Sequence, residues 1–148
     1  MIRRMAGTKN DLKEMDYQRL ARFRYALRQF LRFSEDAARD AGISPGQYQL
    51  LLFIRSFGER PPIVADMAEK LQVRHQSAVG LIDRCERAGL VARGPDSEDR
   101  RRVRVALTAK GRRTLSKLVT LHLRELRALR RAVPDVPELA PRSHGRRS

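Results

Sequence analysis

Four consecutive polar residues, Arg74-His75-Gln76-Ser77, stand at the start of an apolar-patterned segment. Gln can bond adenine through two atoms, Arg can do the same with guanine, and Ser can bond base edges or phosphate. One turn on, Gly80 is small enough to let a helix sit close to a groove. Arg84 and Arg87 follow at positions that can reach phosphate. A second cluster, Asp99-Arg100-Arg101-Arg102, sets three guanidiniums side by side. Their mutual repulsion argues against burial, and a narrow minor groove concentrates the negative potential that attracts inserted Arg. A solvated helix face accounts for any one of these residues about as well as base contact does, and charge runs ordinarily mean exposed surface. The two clusters close together favour the groove.

The elements that would position them can be traced along the chain. From Asp16 the apolar residues Leu20, Phe23, Leu27, Phe30, Leu31, Ser34 and Ala38 recur at spacings of three and four, one helical stripe ending near Gly42. Ser44-Pro45-Gly46-Gln47 has the spacing of a capping box with Pro in the first turn. Tyr48, Leu51, Leu52 and Phe53 follow as a run expected to be buried, and Gly58 and Pro61-Pro62 end it. Ile63-Val64 is either a very short strand or a lead into the next helix. Residues 65–71 form that short helix, with Met67, Ala68 and Leu71 inward, and Gln72-Val73 make a turn. A second helix runs from about His75 to Ala88 with Ala78, Val79, Ile82 and Cys85 inside, capped by Gly89. Leu90 to Arg93 reads as a strand and Gly94 to Asp99 as a turn. Val103, Val105 and Leu107 alternate with polar or small residues as a half-exposed strand. Thr108 caps a long helix whose stripe is Leu115, Leu118, Val119, Leu121 or His122, Leu126 and Leu129. Pro134 ends it.

The expected fold is mainly α with a small β-hairpin wing: a winged helix-turn-helix over 43–107, flanked by helices over 14–42 and 108–133. A flexible N-terminus over 1–13 and a disordered basic tail over 134–148 complete the organisation.

Composition agrees with a polyanionic partner. The 148 residues carry 32 Lys+Arg against 17 Asp+Glu, a net charge of +15, and 27 of the 32 are Arg. High-GC coding bias explains the Arg:Lys ratio but not the net charge. Residues 100–148 hold 15 basic and 3 acidic side chains, so the surplus is concentrated in the later part of the chain. Hydrophobic residues make up 41%, enough for a core, while aromatics at 5% argue against a stacking platform for single strands. No apolar run approaches the roughly 20 residues of a membrane span, and the N-terminus lacks the apolar stretch of a secretory signal. A single cysteine permits no internal disulfide, so a reducing cytoplasm, with association to the nucleoid, is the expected compartment.

From Val64 to Arg112 the chain resembles the MarR (multiple-antibiotic-resistance regulator) family of winged helix-turn-helix transcription factors. The resemblance is carried by Ala68-Glu69-Lys70-Leu71, Ser77-Ala78-Val79, Leu81-Ile82-Asp83-Arg84, Ala88-Gly89-Leu90-Val91, Pro95-Asp96 leading to Asp99-Arg100-Arg101, and Val105-Ala106-Leu107-Thr108-Ala109-Lys110-Gly111. With the flanking helices it extends over about residues 16 to 130. It implies a homodimer on a palindromic operator in double-stranded DNA, usually a repressor, often answering to a small phenolic or lipophilic effector. It places the dimer interface on the terminal helices, here Leu20, Phe23 and Leu27 with Leu118, Leu121, Leu126 and Leu129. It implies a brace between the recognition helix and the wing through Asp83 and Arg101, with Asp99 orienting Arg100 or Arg102. An effector pocket would lie between the DNA-binding lobe and the dimer helices, where Tyr17, Tyr25, Phe30, Tyr48 and Phe53 are candidates. For each of these, membership of the core is the commoner meaning. The chain departs from the family at its end, where Pro134, Pro137 and Pro141 leave little room for a further dimerisation helix.

Enzyme activity is not expected. Cys85 falls on an inner stripe and reads as a structural thiol. His75, His122 and His144 lie on different elements with no metal-ligand spacing. Asp96, Glu98 and Asp99 sit among arginines on a hairpin, a poor frame for a preorganised metal. Neither a phosphate loop nor a nucleophile elbow occurs, and no cofactor is expected. The alternative to a sequence-specific regulator is a basic architectural or RNA-binding protein with no operator.

Overall fold

The computed structural model describes residues 12–134; the expectations for 1–11 and 135–148 lie outside them. Five helices and one hairpin follow in the order α1 (Glu14–Asp40), α2 (Pro45–Ser56), α3 (Val64–Leu71), α4 (His75–Arg87), β1 (Val91–Pro95), β2 (Val103–Leu107) and α5 (Ala109–Ala132). This is the expected winged helix-turn-helix with long helices at both ends.

Local chemistry sets the boundaries. Ser44 Oγ accepts from Gln47 N at 3.1 Å and Gln47 Oε1 accepts from Ser44 N at 2.8 Å, the reciprocal box that starts α2. Asp66 Oδ2 accepts from Ile63 N at 3.0 Å and starts α3. Gln72 takes a left-handed φ of 56° between α3 and α4. Its side-chain amide donates to Glu69 O at 2.7 Å, so a non-glycine residue closes the helix-turn-helix joint. Ile63 meets both readings of its segment: it forms an isolated bridge to Arg104, and α3 begins at the next residue.

The core gathers Leu50, Leu51, Met67, Ile82, Cys85, Leu90, Val91, Val105 and Leu118, each almost wholly buried. Two assignments are corrected. Leu52 is exposed, because the buried face of α2 runs through Tyr48, Leu51 and Ile54 together with Leu50. Leu118, assigned to a dimer interface, is 1% exposed and packs within its own chain. The stripe of α5 is wider than one surface: Leu115, Leu118 and His122 face inward, while Leu121 and Leu126 face out.

His122 joins three helices. Its Nδ1 is 2.6 Å from Leu118 O and its Nε2 is 2.7 Å from Ser34 Oγ. A carbonyl only accepts, so Nδ1 carries a proton and donates to it. Nε2 pairs with the Ser34 hydroxyl, a group that can either donate or accept. The ring stacks on Tyr48 with centroids 4.4 Å apart and meets the edges of Phe30 and Phe33.

Where α4 ends, α5 begins. Thr108 Oγ1 donates to Gly89 O at 2.6 Å and accepts from Gly111 N at 3.0 Å. Thr108 N donates to Leu90 O at 3.1 Å, and Lys110 Nζ donates to Ala88 O at 2.9 Å. The approach is so close that a Cβ on Gly111 would collide with the Leu90 carbonyl oxygen. Gly111→Ala should therefore destabilise the fold by about 1–3 kcal/mol through overpacking against backbone. Urea unfolding checks this; an unchanged midpoint would mean that the joint is loose.

Candidate nucleic-acid interface

The buried side of α4 is Ala78, Ile82 and Cys85. Burial pushes the Cys85 thiol up to about 11, in keeping with a core residue. The helix therefore turns Gln76, Gly80, Arg84 and Arg87 away from the core. Arg74, His75, Gln76 and Ser77 are all exposed, and no side-chain hydrogen bond or ion pair occupies them among the described residues. They stand at the N-terminal end of α4, whose first turn holds no acidic residue, so the helix dipole adds positive potential there. A Cβ on Gly80 would meet only the flexible end of Arg84, at 3.7 Å, so this face is open.

β1 and β2 pair antiparallel, with Arg93 opposite Val105 and Pro95 opposite Val103. The hairpin is tied to α4 through Arg93, not through Arg101. Arg93 Nη2 donates to Asp83 Oδ1 at 2.5 Å, Nη1 donates to Glu86 Oε1 at 3.1 Å, and the Arg93 backbone N–H donates to Glu86 Oε2 at 3.2 Å. The Asp83 hydrogen bond is the main cause raising the Arg93 pKa, against the opposing effect of burial. The expected Asp83–Arg101 brace is thus replaced. The chain leaves α4 and returns at once as β1, so the first strand, not the tip, lies beside Asp83 and Glu86.

Arg101 instead turns back on its own loop. Its backbone N–H and its Nε donate to Asp99 Oδ1 at 3.0 and 3.2 Å, and Arg102 Nε lies 3.8 Å from Asp99 Oδ2. The Arg101 side-chain and backbone hydrogen bonds hold the Asp99 carboxyl below its usual range. Asp99 therefore orients Arg101 and Arg102, while Arg100 stays exposed without a side-chain partner among the described residues.

A second tie fixes the hairpin's other side. Arg104 Nε donates to the buried Asp96 Oδ1 at 3.2 Å, and Arg104 Nη1 donates to Pro61 O at 2.8 Å. Val105 N donates to Pro62 O at 2.9 Å, and Arg60 pairs with Glu98 at 3.3 Å. Arg93, Glu86, Asp96 and Arg104 were not picked out as wing-fixing residues by sequence pattern. The only available signal was the acidic flank of α4 preceding a strand that carries Arg.

The dimer candidates divide by exposure. Leu20, Leu27, Leu121 and Leu126 are exposed, Phe23 and Leu129 are half-buried, and Leu118 is internal. The pocket candidates do not converge. Tyr48 and Phe30 pack on His122, Phe53 is half-buried against the core, and Tyr17 and Tyr25 are exposed on α1. Among the described residues no cluster of His, Cys, Asp or Glu could hold a metal, and no helix is long and apolar enough to cross a membrane.

A MarR family model matches residues 41–102. The HTH-type transcriptional regulator YkoM of Bacillus subtilis is 31% identical over 117 residues, covering 76% of this chain and 75% of that protein. The chain belongs to the MarR family. As a MarR-family member it is a helix-turn-helix transcriptional regulator and not an enzyme. Among solved structures, a MarR family protein from Bacillus stearothermophilus superposes with a TM-score of 0.67 at 25% identity, over 80% of this chain and 82% of that one. A mutant of S. aureus MepR, solved bound to an oligodeoxyribonucleotide, has the same fold with a TM-score of 0.65 at 21% identity, over 76% of this chain and 80% of that one.

Two predictions follow from the ties. In a double-mutant cycle on stability, Asp83→Ala and Arg93→Ala should couple by about 0.5–1 kcal/mol, modest because both groups are partly solvated. Asp83→Ala with Arg101→Ala should be additive; the reverse pattern would restore the Arg101 brace. The Arg104 hydrogen bond lowers the Asp96 pKa below its ordinary value of 3.8. The folded-state value being depressed, the contribution is full above 3.8 and drains away as pH falls through the lower folded value. Amide protection factors at Val103 to Val105, taken relative to intrinsic exchange at each pH, should fall over that acid range, and Asp96→Asn should abolish that fall.

Proposed function

We propose that this MarR-family chain acts as a homodimeric repressor on a palindromic operator, with α4 in the major groove and the hairpin tip in the minor groove. The observation that carries the reading is the open polar N-terminus of α4 beside a hairpin held to the same helix by Arg93. Arg74, His75, Gln76 and Ser77 would read base edges, Arg84 and Arg87 would take phosphate, and Arg100 would enter the minor groove, with Arg101 and Arg102 beside it. The oligodeoxyribonucleotide bound to the S. aureus MepR mutant supports DNA as the class of partner, and a polar helix start beside a hairpin suits the two grooves of a duplex. Exposed Leu20, Leu27 and Leu31 on α1, with Leu121 and Leu126 on α5, support a second copy of the chain as the cover for these helices. Domain roles follow the same division: 14–42 and 108–133 dimerise and 43–107 binds DNA. A small lipophilic or phenolic ligand would release the operator.

Selection from a random duplex library should enrich an inverted repeat with half-site centres about 10 base pairs apart. Sedimentation should show a dimer at micromolar concentration. On the selected site, Gln76→Ala or Ser77→Ala should relax preference at particular positions by about 1–3 kcal/mol. Arg100→Ala should weaken binding evenly and reduce the salt slope. Enrichment of no motif, with binding lost as salt rises, would instead support the architectural or RNA-binding reading.

A further inference from the structure

The outward side of α1 carries charge that nothing around it answers. Between Tyr17 and Ser34 the helix has five arginines and no acidic residue. Three of them, Arg24, Arg28 and Arg32, follow one another at intervals of four and share a groove of about 500 Å³ with Leu27, Leu31 and Glu35. All three are exposed, and none has a hydrogen bond or ion pair among the described residues. Glu35 is the one acid lining the groove and stands at the end of the row, so the row keeps a surplus of positive charge. We infer that this row is a second DNA-binding surface, which takes the phosphate backbone of a duplex other than the one read by α4.

Helix geometry turns the row outward. Successive residues are about 100° apart around the axis. Ala26, Phe30 and Ala37, on the packed face of α1, therefore lie nearly opposite Arg24, Arg28 and Arg32. The packed face of α1 meets α5 and α2, whereas α4 packs on α3, α2 and β1. The row thus points away from α2 and from the lobe that offers Gln76 and Ser77. A duplex seated on the start of α4 leaves this side of the chain free.

The spacing and the chemistry of the row select its occupant. Four residues of helix rise about 6 Å, so the three guanidiniums form a ladder of evenly spaced cations. A duplex offers an even row of phosphates, with one negative charge per roughly 1.7 Å of its axis. Each guanidinium can fork onto a phosphate through two donors. Tyr17 and Tyr25, exposed on the same side of α1, add hydroxyls of the kind that bond phosphate oxygens. An acidic peptide would match the charge but would need apolar anchorage as well. Leu20, Leu27 and Leu31 lie together on one flank of the row, the flank assigned above to a second copy, which leaves arginines and hydroxyls for the partner. Binding to the row stands on α1 alone; the bridging of two duplexes rests on the function proposed above.

Capture of a second duplex tests the surface. The full chain, held on its immobilised selected duplex, should retain a labelled duplex of scrambled sequence. The triple variant Arg24→Gln, Arg28→Gln, Arg32→Gln should lose this capture by about tenfold or more. It should keep its affinity for the immobilised duplex and its thermal midpoint, because exposed Gln suits a helix about as well as Arg. Capture by the wild type should fall with salt, with a log–log slope of about −2.7 per chain for three phosphate contacts, and the variant should lack that slope. Lys at the same three positions should restore most of the capture, since a phosphate answers to charge. No captured duplex, full capture by the Gln variant, or no rescue by Lys would overturn the surface. So would single-stranded DNA or polyglutamate competing as well as duplex, or a Gln variant whose dimer changes in sedimentation while its capture does not. Failure to select any duplex would strike the proposed function; the row would then be tested by comparing wild type and Gln variant on a scrambled duplex alone.

Discussion

The carbonyls that follow α4 are held by the residues that start α5. Ala88, Gly89 and Leu90 present three oxygens, which Lys110, the Thr108 hydroxyl and the Thr108 backbone N–H occupy in turn. These groups would otherwise be unsatisfied at a helix end. One short contact thus ends α4, starts α5 and closes both ends of the chain that forms the hairpin between them. Glycine at position 111 is what allows the backbones to come this near. The inclination of α5, and with it the surface offered by Leu121 and Leu126, is set from this point.

The arginines divide their labour by partner. Arg93 and Arg104 are largely consumed inside the protein, each serving a carboxylate and a second acceptor. Arg101 is tied to Asp99, while Arg74, Arg84, Arg87 and Arg100 have no carboxylate partner among the described residues. The acidic residues of this region therefore do not merely reduce its charge. Asp83, Glu86 and Asp96 immobilise the cations that shape the hairpin and leave the rest to face outward. A hairpin held on both sides has less conformational entropy to lose in any association it takes part in.

Much of this was legible along the chain because the signals were local. The Ser44–Gln47 box, the inner stripe of α4 and the alternation across Val103 to Leu107 each depend on neighbours a few residues away. The failures were matters of long range. Sequence spacing supplies Asp83 with several candidate arginines, and only the immediate return of the chain as β1 selects Arg93 over Arg101. Likewise a continuous apolar stripe on α5 does not say which residues face α1 and α2 and which face outward. Leu118 went to the first group and Leu121 to the second. His122, polar in composition, became internal because Leu118 O and Ser34 Oγ satisfy both ring nitrogens and three aromatic rings surround it.

Cys85 lies on the buried side of α4. Its sulfur is wholly enclosed and its ionisation is displaced upward, so neither access nor thiolate is available while α4 is seated. It is also the only cysteine in the chain. The protein therefore contains a native timer: alkylation at this one atom proceeds only during excursions that lift α4 off its bed. The labelling rate counts those excursions without any introduced probe.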